Sequence, residues 1–291
     1  MRRILVKILK KFEYMLSKGY ESRCSRAKIL SIEGDIATVE ALGLIWKLDT
    51  KRYLDRDILN NGIFEPYSTE LIQELVKPNM VVGDIGANFG YYALQFGRLV
   101  GKSGYVYAFE PVQRYSVRLL EHLKLNNITN VEFVNKALSN RIGKAQISVG
   151  ECSATFHSYS SNGPKELQEV SITTLDTFVK ERGIGRLDFL KVDLDGHEPM
   201  FLEGAQNTLS KFKPIILIEF SQPNLHASGS AAWDLVDKLE DFGYVLVSTK
   251  NRKIFPNRPE CLKEVANFSH SVNVLCIPSG SELLNIFGIN R

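Results

Sequence analysis

The sequence predicts an α/β fold with a mostly parallel sheet and helices on both of its faces. From residue 81 onward, short apolar segments typical of buried strands alternate with longer amphipathic segments typical of helices. Four of the apolar segments end in an acidic residue. A glycine turn, Gly86 to Gly90, connects the first predicted strand to a predicted helix. Together these patterns predict a sheet whose carboxyl edge carries a polar site.

Composition and charge narrow the class of protein. The 291 residues, 44% hydrophobic and 24% charged, suit a globular protein with one large domain and an extension. Residues 1–28 contain nine Lys/Arg and two acidic residues, a charge of +7 against +3 for the whole chain, so the remainder carries about −4. That balance disfavours a nucleic-acid surface on the main domain. Four widely spaced cysteines without a CxxC pair favour a reducing compartment, so we expect a cytoplasmic protein.

Residues 1–65 are predicted to form a small α/β extension. Residues 2–18 fit an amphipathic helix, with apolar side chains on one face and Lys/Arg on the other. This helix either packs on protein or lies on an anionic membrane surface, and the sequence leaves both alternatives open. Residues 28–50 predict an antiparallel meander with turns at Gly34 and Gly43.

Residues 66–291 are predicted to form the main domain. Ser68 or Thr69 is expected to cap its first helix, which would run to Lys77. Seven strands are predicted at 81–85, 105–109, 131–135, 187–192, 215–219, 244–248 and 272–277. The main helices between them are predicted at 89–99, 113–126, 199–211 and 231–242. A hairpin-like insertion is expected at 145–149 and 169–174.

The acids at the strand ends are Asp84, Glu110, Asp193 and Glu219. Because ligands of open α/β sheets bind outside the carboxyl ends of the strands, these four acids predict a polar ligand across that edge. Glu110 lies 24 residues after Gly86, a spacing at which a carboxylate can accept both hydroxyls of a ribose. The ligand is therefore expected to contain a nucleoside.

The glycine turn differs from the GxGxxG turn of dinucleotide-binding proteins. Asp84 brings a carboxylate into the space that a pyrophosphate would need, which disfavours a dinucleotide and suits a cationic amino-acid group. S-adenosylmethionine joins an adenosyl group to an amino acid and satisfies both observations.

Several motifs, in order and over residues 60–278, resemble the FkbM family of class I S-adenosylmethionine-dependent methyltransferases. The matching stretches are NGIFE (61–65), VVGDIGANFGYYAL (81–94), VYAFEP (106–111), NKALSN (135–140), TTLDTF (173–178), LKVDLDGHE (190–198), FLEGA (201–205) and ILIEF (216–220). The resemblance implies a Rossmann-like sheet of seven mostly parallel strands. It also implies methyl transfer to a hydroxyl oxygen, often on a sugar, a glycan or a natural-product scaffold.

The resemblance also assigns residues to the cofactor. Those implied to bind S-adenosylmethionine are Glu65, Asp84, Gly86, Ala87, Asn88, Gly90, Glu110, Asn135, Lys136, Ala137 and Asp193. Lys136 departs from many methyltransferases, which have an acid there to bind the adenine amino group. Asp195 departs from the family, which usually has Glu at that position.

The predicted catalytic residues are Asp193, His197 and Glu219. Methyl transfer to oxygen is an in-line displacement, so the enzyme must align the acceptor and often remove its proton. Asp193 is expected to face both the cofactor and the acceptor, and Glu219 to orient the acceptor. His197 could act as a base or cap the following helix, and a structural role is expected for Glu198. Asp193, Asp195 and Glu219 offer oxygen ligands of the type that Mg²⁺ or Ca²⁺ prefers, but the spacing requires no metal, so no residue is assigned to one and the need for a metal stays open.

The expected partner is a small-molecule or saccharide acceptor, with no nucleic acid. The acceptor pocket is expected to be formed by residues 150–168 and 221–230. Two alternatives stay open: a methyltransferase of the same fold that acts on nucleic acid or protein, and a non-catalytic cofactor-binding module. The sequence leaves the oligomeric state open.

Overall fold

The computed structural model describes residues 27–150, 153–156, 166–266 and 269–287. The predicted helix at 2–18 lies outside these residues. The chain divides into two compact units, with the division after Pro66. Each unit is described by itself.

The N-terminal unit contains the predicted antiparallel meander. Its strands are β1 (Lys28–Glu33), β2 (Ile36–Ala41) and β3 (Leu44–Asp49), followed by helix α1 (Tyr53–Asn61). Alternate residues of β2 and β3 are buried, as expected when one face of a sheet is covered. Trp46 is fully buried, and its indole N–H donates to the carbonyl oxygen of Ala41 at 3.0 Å.

Helix α2 (Pro66–Leu75), which belongs to the C-terminal unit from Tyr67 onward, begins earlier than the sequence predicts. Ser68 and Thr69 lie inside this helix and are buried, so the prediction that one of them caps it is wrong. Pro66 opens the helix because its fixed φ suits the first turn, where its missing N–H costs no intrahelical bond.

The predicted seven-stranded sheet is confirmed. Its order is β13-β14-β12-β11-β4-β5-β6. The strands are β4 (Val81–Ile85), β5 (Tyr105–Phe109), β6 (Val131–Val134), β11 (Phe189–Val192), β12 (Ile215–Phe220), β13 (Tyr244–Ser248) and β14 (Val272–Pro278). β14 is antiparallel to both of its neighbours, and the other pairs are parallel. From β4 the chain moves outward to β5 and β6, and later returns to place β11 on the other side of β4, so the strand order switches between β4 and β11.

Helices and a second sheet complete the C-terminal unit. The helices are α3 (Tyr91–Val100), α4 (Gln113–Leu125), α5 (Leu175–Arg182), α6 (Glu198–Glu203), α7 (Gln206–Phe212), α8 (Gln222–Ala227), α9 (Ala232–Asp241) and α10 (Arg258–Val265), with a 3₁₀ helix at Glu282–Phe287. The second sheet has the order β7-β10-β8-β9, with β7 (Ala137–Leu138), β8 (Gly143–Val149), β9 (Ala154–Thr155) and β10 (Glu166–Thr173). It contains the predicted hairpin-like pair, because β8 and β10 are antiparallel neighbours.

The single helix predicted at 199–211 is two helices, α6 and α7. The helix is interrupted at Gly204, where an added Cβ would lie 2.0 Å from the carbonyl oxygen of Ser139. The Asp176 carboxylate then accepts hydrogen bonds from the backbone N–H groups of Asn207 (3.0 Å) and Thr208 (2.7 Å), at the start of α7. This capping stabilises a second helix start that the apolar periodicity does not reveal. Among the described residues, no helix is both long enough and apolar enough to cross a bilayer.

Candidate active site

The sequence-predicted residues of the C-terminal unit meet at one edge of the main sheet. Asp84 lies near the end of β4, Glu110 directly follows β5, and Asn135 directly follows β6. On the other side of β4, Asp193 follows β11 and Glu219 lies near the end of β12. Because these five strands are parallel neighbours, their carboxyl ends form one crevice around the switch in strand order, where ligands of such sheets bind.

Backbone contacts fix the glycine turn. The N–H groups of Gly86 and Ala87 both donate to the carbonyl oxygen of Phe109, at 3.0 and 2.9 Å. Gly86 and Gly90 have φ angles of 84° and 94°, which glycine adopts without steric cost. A Cβ on Gly86 would lie 1.9 Å from the carbonyl oxygen of Asp193. The two strand ends therefore approach too closely for a side chain at this position.

Asp84 offers an acceptor for a cationic group. Its carboxyl is 1% exposed, and its Oδ2 atom has no hydrogen-bond partner among the described residues. Burial raises the pKa of Asp84 to about 7, although the nearby Lys191 charge lowers it. A buried carboxylate oxygen needs a donor, and the ammonium group of an amino acid would supply one. Asp84 therefore fits the amino-acid end of S-adenosylmethionine.

Glu110 is buried at the neighbouring strand end. Its Oε2 accepts from the backbone N–H of Asn88 at 2.7 Å, and its Oε1 accepts from that of Val112 at 2.8 Å. Burial raises the pKa of Glu110 to about 7, against the effect of these two hydrogen bonds. A carboxylate has about four lone-pair sites, so about two remain for the hydroxyls of a ribose.

Asn135 and Lys136 lie where the adenine is expected. The Lys136 N–H donates to the carbonyl oxygen of Val134 at 2.8 Å, and the Glu110 N–H donates to the same oxygen at 3.2 Å. This shared acceptor places the predicted ribose and adenine residues side by side, and Ala137 continues into β7. Glu65 lies in the N-terminal unit with a φ angle of 45°, and its cofactor role stays a prediction.

The segment after β11, Asp193 to Glu198, is the second turn of the site, and we call it the acidic turn. The Asp193 side chain is 31% exposed, and its Oδ2 lies 3.0 Å from the Lys191 Nζ. Asp195 has a φ angle of 50°. Its Oδ2 accepts from the backbone N–H of Ala154 at 3.1 Å, and its Oδ1 accepts from the Asn224 side chain at 3.3 Å. Asp195 thus connects the acidic turn to β9 and to α8.

The His197 and Glu198 side chains of the acidic turn are buried. The His197 Nε2 lies 3.0 Å from the Ser139 Oγ, and its ring stacks on Phe156, with centroids 4.0 Å apart. Glu198 accepts from the backbone N–H groups of Leu194 (2.9 Å) and Gly196 (3.3 Å), which agrees with the structural role expected for it. Burial raises the pKa of Asp195 to about 8 and that of Glu198 to about 7.

Glu219 and Lys191 complete the site. Burial raises the pKa of Glu219 well above its ordinary value, and the charges of Asp193 and Asp195 raise it further. Lys191 is not among the site residues predicted from the sequence, although a lysine inside the apolar strand FLKV could have indicated a buried charge at the site. Its Nζ lies 3.0 Å from both the Asp193 Oδ2 and the Asn273 Oδ1.

The charge of this crevice suits a positively charged ligand. Three acids, Asp84, Asp193 and Glu219, interact electrostatically around the ammonium group of Lys191. A pyrophosphate would add negative charge beside acids whose pKa values are already raised, whereas the ammonium and sulfonium groups of S-adenosylmethionine would stabilise their ionised forms. The residues present therefore fit the predicted cofactor.

Fold and site together define an α/β methyltransferase. The family model for the methyltransferase FkbM domain matches residues 84–246. The chain belongs to this family, and it is a methyltransferase of the FkbM type that uses S-adenosylmethionine.

Individual relatives are more distant. The chain is 26% identical over 205 residues to the 2-O-methyltransferase NoeI of Sinorhizobium fredii, which covers 63% of this chain and 83% of NoeI. A solved methyltransferase FkbM from Methylobacillus flagellatus is 15% identical, with a TM-score of 0.45 over 71% of this chain and 50% of that one. An S-adenosylmethionine-dependent methyltransferase from Aquifex aeolicus is 16% identical, with a TM-score of 0.42 over 74% of this chain and 89% of that one.

Proposed function

We propose that this enzyme transfers the methyl group of S-adenosylmethionine to a hydroxyl oxygen of a saccharide or natural-product acceptor. The observation that carries the proposal is the position of Asp193, a partly exposed carboxylate at the switch in strand order. The name of NoeI, a 2-O-methyltransferase, supports oxygen as the methylated atom.

Bound S-adenosylmethionine would supply an electrophilic methyl group, whose S–CH₃ bond would break as the C–O bond forms, with S-adenosylhomocysteine as the leaving group. Asp84 would hold the amino-acid end of the cofactor, and Glu110 would hold its ribose. Asp193 accepts the proton of the acceptor hydroxyl, and Glu219 orients the acceptor. His197 is the second candidate for the proton acceptor, although its Nε2 already contacts Ser139.

A labelled-cofactor screen tests this function. The purified chain is incubated with methyl-labelled S-adenosylmethionine and with sugars, nucleotide sugars, lipid-linked glycans, proteins and nucleic acids. Label in a saccharide, with an ether linkage by mass spectrometry, would support the proposal. Label in protein or nucleic acid would favour the first alternative. Calorimetric binding of S-adenosylmethionine without any labelled product would favour a non-catalytic module.

Two variants identify the proton acceptor. Asp193→Asn should lower kcat by roughly 10²–10⁴-fold, the usual contribution of a positioned acid or base. His197→Gln should keep most of the turnover and the shape of the pH profile, because the ring is buried against Phe156 and contacts Ser139. The reverse result, a lost pH dependence in His197→Gln and near-normal turnover in Asp193→Asn, would assign the base to His197.

For the compartment we propose the cytoplasm. The buried, unpaired thiols of Cys261 and Cys276 support a reducing environment. Recovery of the protein from an oxidising compartment by cell fractionation would contradict this.

A further inference from the structure

Lys191 is a charged residue at a position where an apolar one would be expected. It lies in β11 between β4 and β12, and the other three residues of the strand are apolar. Its side chain is 1% exposed. Burial of an ammonium group costs several kcal/mol of solvation, which only close partners offset. A methionine or leucine would fill this space without that cost, so a purely structural role does not explain the lysine.

The contacts of Lys191 reach across the sheet to the proposed acceptor side. Its Nζ is 3.0 Å from the Asp193 Oδ2 and 3.0 Å from the Asn273 Oδ1. Asn273 lies on β14, directly opposite Glu219 of β12. The Nζ also lies 5.4 Å from the centre of the Tyr92 ring at the start of α3. Elements on both sides of the sheet switch therefore hold the ammonium group in place.

The charge of Lys191 opposes the repulsion among the acids. Asp84 faces it from β4, Asp193 from the acidic turn and Glu219 from β12. The Lys191 charge lowers the pKa of Asp84 and of Glu219, while the Asp193 charge raises both. Without the lysine, the pKa values of Asp84 and Glu219 would be raised further, and Asp193 would lose the partner that orients it.

We infer that Lys191 is a positioning residue, anchored by Asn273, that holds the Asp193 carboxylate through Oδ2 and directs the other oxygen to the acceptor hydroxyl. This inference rests on the proposed role of Asp193 as proton acceptor. Lys191 acts through Asp193 and through the charge of the acid cluster.

A double-mutant cycle tests the action through Asp193. Lys191→Met should lower kcat by about 10²-fold, since it removes both the orientation and the charge. In the Asp193→Asn background, the same change should lower kcat by less than about threefold, because the group that it positions is already lost. Equal fold-losses in both backgrounds would overturn the inference. Normal turnover of Asp193→Asn alone would instead overturn the proposed function, and the inference with it.

Cofactor binding gives a readout that needs no acceptor. We expect binding of S-adenosylmethionine, measured by calorimetry between pH 5 and 9, to weaken on acidification as Asp84 and Glu110 take protons. In Lys191→Met the midpoint of this loss should move up by about one pH unit, because the charge that favours the Asp84 carboxylate is gone. Lys191→Arg keeps the charge and should leave the midpoint in place, while its different geometry still lowers kcat. An unchanged midpoint in Lys191→Met would contradict the charge part of the inference.

Two further variants separate positioning from folding. Asn273→Ala removes the anchor of Lys191 but no charge. It should lower kcat by about tenfold without moving the pH midpoint of S-adenosylmethionine binding. Lys180→Met, on the exposed side of α5, removes a lysine outside the site and should change neither quantity. If Lys191→Met does not fold, Asn273→Ala and Lys191→Arg still decide the question, and wild-type kcat in both would refute the positioning role.

Discussion

The glycine turn after β4 and the acidic turn after β11 lie against each other but are built differently. The glycine turn is held mainly by backbone atoms, since two of its N–H groups share the carbonyl oxygen of Phe109. One side chain from the next strand end, Glu110, joins it at the N–H of Asn88. Atoms of side chains hold the acidic turn, through Asp195, His197 and Glu198. The glycine turn is therefore constrained by the space available to its backbone, whereas the acidic turn is constrained by the charged side chains that it buries.

The two turns also share one feature. In each, a buried glutamate accepts two backbone N–H groups: Glu110 those of Asn88 and Val112, and Glu198 those of Leu194 and Gly196. Glu110 comes from the neighbouring strand end, whereas Glu198 belongs to the turn that it stabilises. A substitution at Glu110 is therefore expected to disturb the proposed cofactor side, and one at Glu198 the proposed acceptor side.

The largest effect is expected for Gly86→Ala. The positive φ costs a non-glycine residue roughly 1–2 kcal/mol, and overpacking adds roughly 1–3 kcal/mol. The added Cβ meets backbone, the carbonyl oxygen of Asp193, so no side-chain rotation relieves the contact. We expect a protein that is strongly destabilised in urea unfolding and that binds S-adenosylmethionine at least 100-fold more weakly in calorimetry.

Gly183→Ala is the matched control for this prediction. Gly183 ends α5 with a φ angle of 62°, and an added Cβ there meets nothing within 4 Å. The control should lose about 1 kcal/mol of stability and keep its cofactor affinity. If the two variants behave alike, the close approach of the two turns is not what requires glycine at position 86.

The next largest effect is a dependence of the stability of the protein on pH. The folded pKa is about 7 for Glu110 and Glu198, against an ordinary value of 4.5. The folded state thus holds more protons than the unfolded state between about pH 4.5 and 7, so stability is fully present below this window and is lost as the pH rises through it. We expect the Tm of the cofactor-free protein to fall by several degrees between pH 5 and 8.

The two turns can be compared by the same measurement, the dependence of Tm on pH, in the variants Glu110→Gln and Glu198→Gln. Each removes one ionisable group with a raised pKa, so each should flatten the fall of Tm with pH. Glu110 accepts through both of its oxygens, so Glu110→Gln loses one acceptor, and its stability at pH 5 should drop by about 1–3 kcal/mol. Glu198 accepts both N–H groups through Oε1, which the amide oxygen of Gln can replace, so Glu198→Gln should lose less stability at pH 5. Only Glu110→Gln should also weaken S-adenosylmethionine binding. A similar loss of binding in Glu198→Gln would show that the turns do not divide cofactor and acceptor roles.

The sequence predicted the glycine turn better than the acidic turn, for a physical reason. Strand ends and glycines are local signals, and parallel strands bring their carboxyl ends together, so Asp84, Glu110 and Asp193 could be placed at one edge. The same local signals predicted the seven strands, and most of the predicted strand ends lie within one or two residues of the observed ones.

The partners of the acidic turn could not be predicted in this way. The contacts of Asp195 with Ala154 and of His197 with Ser139 join residues 41 and 58 positions apart. They depend on how the second sheet packs, which no local pattern encodes. For the same reason, the Asp176 cap that splits α6 from α7 could not be read from the apolar periodicity.

The smallest effect is expected for Asp195, and it tests what the acidic turn does. Asp195→Ala removes acceptors for the N–H of Ala154 and for the Asn224 side chain. A single hydrogen bond contributes roughly 0.5–1.5 kcal/mol, so hydrogen exchange at the Ala154 amide should rise by about 2–12-fold. Asp195→Asn keeps one carbonyl acceptor and should show a smaller rise. The intact protein is labelled by exchange and is then digested. The exchange is measured by mass spectrometry of the peptide that contains Ala154.

Cofactor affinity decides how this result is interpreted. If Asp195 holds β9 and α8 in place without contacting the cofactor, Asp195→Ala should change calorimetric binding of S-adenosylmethionine by less than about threefold. Faster exchange with unchanged affinity would place Asp195 on the acceptor side, as a residue that positions its neighbours. Unchanged exchange would mean that the Asp195 hydrogen bonds do not hold β9. Asp195 would then affect the site chiefly through its charge, which raises the pKa of Glu219.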